Sequence, residues 1–261
     1  MTTSRWNDLG ERIGVGAIIA AVGLLCVWLG GPIFMVLTVA ISGVMVWELV
    51  RMLDVNAPAV WLGVMAGLAL TAAELLPPAY ALPLCIAPAF AGALWLDKRR
   101  VTFALFTVLI ILAGLGLYIL RTEYGFIWML WLAVVVIVTD VFGYIFGRMI
   151  GGPKMWPRVS PNKTWSGTIA GWIGAAIAGG AFGIAAGAGP EIIPISITLS
   201  MAGQIGDIAE SAVKRRAGVK DSSSLLPGHG GLFDRFDGML GASVTLLLIS
   251  PVVGFPPGLA V

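Results

Sequence analysis

Residues 126–147 read FIWMLWLAVVVIVTDVFGYIFG, twenty-two positions with a single formal charge, Asp140. At about 1.5 Å per helical residue, such a run is long enough to cross the ~30 Å hydrocarbon core of a bilayer. Eight further apolar runs accompany it, at 13–31, 33–50, 59–76, 79–96, 101–120, 167–189, 192–212 and 238–255. The run at 79–96 contains Pro83 and Pro88, which a span tolerates only where neighbours satisfy the carbonyls that proline frees. The run at 13–31 has no clear small-residue exit and leads at once into another span, so it reads as a helix and not as a cleaved leader. Ahead of it, Thr2 to Arg12 reads as a short polar or interfacial lead. The expectation is an all-α integral membrane protein, a polytopic bundle of about nine transmembrane helices.

Composition leads to the same class. Hydrophobic residues make up 58% of the 261 positions and charged residues 11%, against roughly a quarter charged in a soluble domain. Too few polar side chains exist to coat a water-exposed globule. A soluble enzyme, a disordered chain and a secreted disulfide scaffold are thereby excluded; Cys26 and Cys85 lie far apart within apolar runs and form neither a metal pair nor a framework.

Charge placement orients the bundle. With the N-terminus cytoplasmic, the inner segments hold Arg5, Arg12, Arg51, Lys98, Arg99, Arg100, Arg148, Lys154, Arg158, Lys163, Lys214, Arg215, Arg216, Lys220 and Arg235, and only Arg121 falls outside. Glu74, Glu123 and Glu191 mark three outer loops. This is the positive-inside bias, and it sets the C-terminus outside. One polytopic domain over 1–261 is expected, with a catalytic half at about 126–255 and the helices of 13–120 as scaffold, dimer or lipid-facing surface. Two inner connections, roughly 148–166 and 213–237, are long and rich in polar chemistry.

Ionisable groups inside a span are costly and mark function by default. Asp140, Asp207 and Glu210 are the three that stand out. Asp140, Tyr144 and Arg148 recur at i, i+4 and i+8 on one helical face, with Gly143 and Gly147 beside them to admit a close neighbour. Asp207, Glu210, Ser211 and Lys214 form a second such face. Pairing of Glu210 with Lys214, or of Asp140 with a nearby cation, would explain those acids as mere bundle glue.

From Ser211 to Asp237 the chain reads SAVKRRAGVKDSSSLLPGHGGLFDRFD. Attraction to anionic headgroups would need only scattered basic residues. It would not need a Pro-Gly-His-Gly-Gly turn, whose backbone N–H groups suit an anion, nor Asp221, Asp234 and Asp237 among the cations. Carboxylates beside Lys and Arg are what a Mg²⁺–polyphosphate site requires. The other inner segment, GGPKMWPRVSPNKTWSG at 151–167, adds Ser160, Asn162, Lys163 and Thr164 without the spacing of a Walker A loop.

These two segments resemble those of phosphatidate cytidylyltransferases, also called CDP-diacylglycerol synthases. The signature positions met are Ser211, Lys214, Arg215, Lys220, Asp221, Pro227, His229, Gly230, Gly231, Asp234, Arg235 and Asp237, with Gly206-Asp207 as lead-in. Ser160 to Trp165 resembles the family's S-P-K-K-T-W segment, with Asn162 where lysine is more usual and Ser166 where glutamate is common. The resemblance covers roughly residues 140–240.

The resemblance implies that CTP and phosphatidate give CDP-diacylglycerol and diphosphate, with Mg²⁺ and a second ion such as K⁺, in a homodimer in the bacterial inner membrane. It implies metal ligands at Asp207 and Asp234, joined by Asp221 or Asp237. The cations Lys214, Arg215, Lys220 and Arg235 would neutralise phosphates, and Ser211 would bind a phosphate or orient Asp207. His229 would position a phosphate or shape the turn. Lys163, Thr164, Asn162, Arg148, Gly230 and Gly231 would contact substrate, and no nucleic-acid partner is expected. Two rivals stay open: a transporter or channel using Asp140, Asp207 and Glu210, and a transferase acting with CTP on a polyprenyl lipid.

Overall fold

Each apolar run becomes a helix. The computed structural model describes residues 3–226 and 228–257, with side chains from 14 onward except those of 15, 78 and 82. Pro227 of the signature and the side chains of Arg5 and Arg12 lie outside the described residues. The helices are α1 (Thr3–Leu29), α2 (Gly31–Leu53), α3 (Ala59–Leu75), α4 (Pro78–Trp95), α5 (Arg100–Ile119), α6 (Phe126–Ile150), α7 (Trp165–Ala186), α8 (Ile192–Ala217) and α9 (Phe233–Val253). Six of them, α2 and α5 to α9, are long and apolar enough to cross a membrane, and the apolar stretches of α1, α3 and α4 are shorter. The chain is a polytopic helical membrane protein.

Four local features differ from the sequence reading. The helix α1 starts at Thr3, so the expected polar lead is helical. Glu74, expected in a loop, lies in the last turn of α3 and accepts a hydrogen bond from Thr38 Oγ1 at 3.1 Å. The segment after α6 is a hairpin, β1 (Lys154–Trp156) antiparallel to β2 (Ser160–Thr164), with Lys154 opposite Thr164 and Trp156 opposite Ser160. Pro157 suits its turn, closed by Val159 N–H donating to Trp156 O at 3.1 Å, because proline presets the backbone angle that a turn requires. Pro161 is tolerated because both strands of a two-stranded ribbon are edges. Finally, α8 runs on to Ala217 and α9 begins at Phe233. The apolar runs had ended at 212 and begun at 238.

The chain folds as two compact units: residues 1–118 with 216–236, and 119–215 with 237–261. Residues 216–236 thus fold with the N-terminal helices, and residues 237–261 with 119–215. In the first unit Leu49, Leu62, Leu70, Phe103, Ile110 and Ile111 are fully buried. Where α2 and α3 cross, a Cβ on Gly43 would lie 3.0 Å from Gly63 O, which is the close approach that small residues permit in membrane bundles. Residues 216–236 are tied in by Arg99, whose guanidinium donates to Leu53 O at 3.3 Å and to Arg216 O at 2.6 Å. The Phe233 ring meets Phe106 edge-on at 6.0 Å.

In the second unit Trp131 is fully buried and its indole N–H donates to Ser196 Oγ at 3.0 Å. Thr139 Oγ1 donates to Ser200 Oγ at 2.8 Å, joining α6 to α8. Such interhelical bonds contribute about 0.6 kcal/mol each in lipid. The helices α6 and α7 pack through Gly143, Gly147 and Gly167: a Cβ on Gly167 would lie 3.1 Å from Gly147 Cα. The two glycines expected to admit a neighbour therefore do so. Helices α8 and α9 also touch through bare backbone, since a Cβ on Gly206 would lie 2.5 Å from Asp237 O and one on Gly203 would lie 3.1 Å from Gly238 O. Apolar side chains such as Leu105, Ile137, Ile184 and Val252 point outward, as hydrocarbon solvent allows.

Candidate active site

The second unit holds a cavity of about 640 Å³ whose lining includes Asp140, Tyr144, Arg148, Lys154, Asn162, Lys163, Thr164, Gln204 and Asp207. The face of α6 at i, i+4 and i+8 supplies Asp140, Tyr144 and Arg148, and Arg148 Nη1 donates to the Tyr144 hydroxyl at 3.2 Å. Strand β2 delivers Lys163, whose Nζ sits 2.5 Å from Asp207 Oδ2 and also reaches Gln204 O at 3.4 Å. Lys154 reaches Asn162 O at 3.4 Å from the facing strand.

Thr164 has a structural task at this mouth. It is the N-cap of α7, accepting from Gly167 N–H at 3.2 Å, and so satisfies one of the donors a helix start leaves open. Ser166, in the first turn of α7, donates to Gly151 O at 2.5 Å. These contacts fix the hairpin against α7, which is what holds Lys163 in place.

Acidic groups of α6, α8 and α9 lie close to one another in this unit. Asp140, Asp207 and Asp237 are near enough to one another to interact electrostatically, and Lys163 and Lys214 act on members of the set. Ser211 Oγ donates to Asp207 Oδ1 at 3.4 Å. Lys214 forms an ion pair with the buried Glu210 at 2.7 Å, so the pairing anticipated for that acid is present. Arg215 is exposed on the last turns of α8.

The signature turn lies in the first unit. Leu226 N–H donates to Gly230 O at 2.8 Å and His229 N–H to Leu226 O at 2.9 Å, closing it tightly. Gly230 has φ +81°, a backbone angle that glycine adopts without strain. The N–H groups expected to face an anion do face carboxylates, but these are the protein's own. Asp234 Oδ2 accepts from Gly231 N–H at 2.8 Å, from Ser222 N–H at 2.8 Å and from Ser222 Oγ at 2.9 Å.

Glu48 of α2 takes the next donors along the turn, Leu232 N–H at 3.0 Å and Phe233 N–H at 2.7 Å. Sequence reasoning missed this residue, although a carboxylate inside the apolar run 33–50 was the available signal. The His229 ring is packed close to α1, where a Cβ on Gly16 would lie 3.2 Å from Nε2, and its carbonyl accepts from Arg235 Nε at 3.1 Å. Lys220, Asp221 and Arg235 are exposed around the turn.

Carboxylate oxygens are the ligands a hard divalent cation takes. Among the described residues no group of three or more acidic, histidine or cysteine side chains converges into a ready-made metal cage. Mg²⁺ is commonly held by one or two carboxylates together with substrate phosphates and water.

Comparison with known proteins supplies the family. Residues 10–252 match the pattern of the Cytidylyltransferase family. A phosphatidate cytidylyltransferase of Brucella abortus is 47% identical over 149 residues, which cover 55% of each chain. That of Staphylococcus saprophyticus is 43% identical over 157 residues, 56% of this chain and 59% of the relative. The match thus spans little more than half the length of these relatives. The Bacillus subtilis phosphatidate cytidylyltransferase is 34% identical over 265 aligned positions, covering 89% of this chain and 94% of its own. With the family pattern running from residue 10 to residue 252 and one relative matched almost end to end, the chain belongs to the cytidylyltransferase family, alongside these phosphatidate cytidylyltransferases.

Proposed function

We propose that this chain is a Mg²⁺-dependent phosphatidate cytidylyltransferase of the bacterial inner membrane, working at the cytoplasmic face as a homodimer on CTP and phosphatidate. The observation that carries the reading is the lysine-and-carboxylate cavity in a membrane-embedded member of this family. A phosphate oxygen of phosphatidate attacks the α-phosphorus of CTP. The bond from that phosphorus to the bridging oxygen of the β-phosphate breaks, and diphosphate leaves with the electron pair. The nucleophile is already anionic near neutral pH, so no strong base is required. The barrier lies in bringing two anions together and in stabilising the leaving charge.

Lys163, Arg148 and Lys154 line the cavity as cationic donors, and Asn162 adds hydrogen bonding. Lys163, paired with Asp207, supplies a cationic donor for a phosphate. Lys214, Arg215, Lys220 and Arg235 add positive charge for the diphosphate. Asp207 and Asp234 would hold Mg²⁺, with Asp221 or Asp237 as further ligands and a second ion such as K⁺ beside it; Asp234 would bind through oxygen not committed to the turn. Bound there, the metal supplies charge neutralisation at the phosphates. A lipid substrate keeps its acyl chains in the bilayer and offers only its headgroup, while CTP arrives from water.

Purified chain in detergent, given labelled CTP, phosphatidate and Mg²⁺, tests this directly. Labelled CDP-diacylglycerol and diphosphate are expected in equal amounts. Their absence, with phosphorylation of a polyprenol or with ion flux in liposomes, would overturn the reading in favour of one of its rivals.

A further inference from the structure

Glu48 lies in the N-terminal half of the chain, far in sequence from every signature residue, and its side chain is 0% exposed. Its carboxylate accepts three hydrogen bonds from the signature loop, from Ser223 Oγ at 2.6 Å and Leu232 N–H at 3.0 Å on Oε1 and from Phe233 N–H at 2.7 Å on Oε2. The Ser222 hydroxyl lies 3.3 Å from Oε2. Phe233 opens α9, so a side chain of α2 serves as the cap of a helix 185 residues further on. An acid at a helix N-terminus also meets the favourable end of its dipole. Ser222 joins two carboxylates, since its hydroxyl lies 3.3 Å from Glu48 and 2.9 Å from Asp234. Room for this convergence depends on Gly231, where a Cβ would collide with Ser222 Oγ and the Glu48 carboxylate.

We infer that Glu48 is a positioning residue for the transfer reaction: anchored in α2, it sets the loop 222–233 and thereby the place and orientation of Asp234. This rests on the cytidylyltransferase reading and adds to it a residue outside the signature. A carboxylate is needed because both of its oxygens must accept: Oε1 from Ser223 Oγ and Leu232 N–H, and Oε2 from Phe233 N–H, with the Ser222 hydroxyl proton shared between Glu48 and Asp234. Glutamine would turn an amide N–H₂ towards either Ser223 and Leu232 or Ser222 and Phe233, and aspartate would fall short by one methylene.

The test uses the full chain in detergent with Glu48→Gln and Glu48→Asp. Two readouts are followed: hydrogen exchange of the Leu232 and Phe233 amides, and kinetics of CDP-diacylglycerol formation across a Mg²⁺ titration. Glu48→Gln is expected to speed exchange at those two amides and to lower kcat about 100-fold, the cost typical of a small misplacement. It should also raise the half-activating Mg²⁺ concentration severalfold, because a displaced Asp234 holds the ion less well. Glu48→Asp should recover part of both effects. A merely structural role would lower kcat through a smaller active fraction while leaving the Mg²⁺ dependence and the KM for CTP unchanged, and that outcome overturns the inference. Unchanged amide exchange overturns it as well. A wild-type chain that makes no liponucleotide would sink the functional reading, and with it a positioning role in that reaction.

Discussion

Lys163 Nζ lies 2.5 Å from Asp207 Oδ2 at the cavity, a strand residue held by a helix residue forty-four positions later. The pair is partly open, with side chains 24% and 30% exposed. It therefore contributes little to stability, about 1 kcal/mol or less. What it does is station the Lys163 ammonium beside a carboxylate at the cavity. Lys163→Met should lower kcat by about 100-fold, the order seen when one stabilising donor is removed, while the melting temperature in detergent stays near that of the wild type. Full activity in that variant would remove Lys163 from the chemistry.

Gly231 makes a different prediction, on folding. A methyl there would press on Ser222 Oγ and on the Glu48 carboxylate. Gly231→Ala should destabilise the chain by about 1–3 kcal/mol, the usual range for overpacking. Thermal unfolding of the full chain checks it, and an unshifted melting temperature would show that the turn has slack.

Metal removal separates the role of Asp234 from its hydrogen bonds. Excess EDTA should abolish liponucleotide synthesis, and added Mg²⁺ should restore it. Asp234→Asn keeps an oxygen that can accept from Gly231 N–H and Ser222, but it removes the charge. Turnover should fall by at least about 100-fold, with the melting temperature close to wild type. Undiminished synthesis in EDTA would dispose of the metal altogether.

Asp54, between α2 and α3, offers a pH test. Its carboxylate accepts from Asp97 N–H at 3.0 Å and Asn56 N–H at 3.1 Å. These bonds, the Asp97 one foremost, hold it below its ordinary value of 3.8. A depressed value in the folded chain means stability that is present above the unfolded value and lost as pH falls through the folded one. The melting-temperature gap between wild type and Asp54→Ala should thus be open at neutral pH and narrow as pH drops below 3.8. A gap independent of pH would show that the charge is irrelevant there.

How much of this was legible beforehand follows from what sequence encodes locally. Apolar runs located every helix, because burial in lipid leaves a one-dimensional signature. The Asp140–Tyr144–Arg148 face and the Gly143–Gly147 contact were equally readable, since both follow from helical period alone. Ends of α8 and α9 were not, because a helix can continue beyond its apolar part when caps or charges support it. The support for α9 is Glu48, a partner 185 positions away, and no periodicity reveals a contact of that kind. For the same reason the turn's N–H groups read as open to a ligand when they are already filled from within. The β1–β2 hairpin was hidden by its prolines, which ordinarily argue against strands.

The meeting of α8 and α9 has a consequence for the acids they carry. Gly206 adjoins Asp207, and its backbone rests directly on the carbonyl of Asp237. With no side chains interposed, the spacing between those two main chains has no adjustable filler. The two aspartates are thus mounted on a gauge cut from the peptide backbone itself, and the separation of their main chains is inherited from glycine.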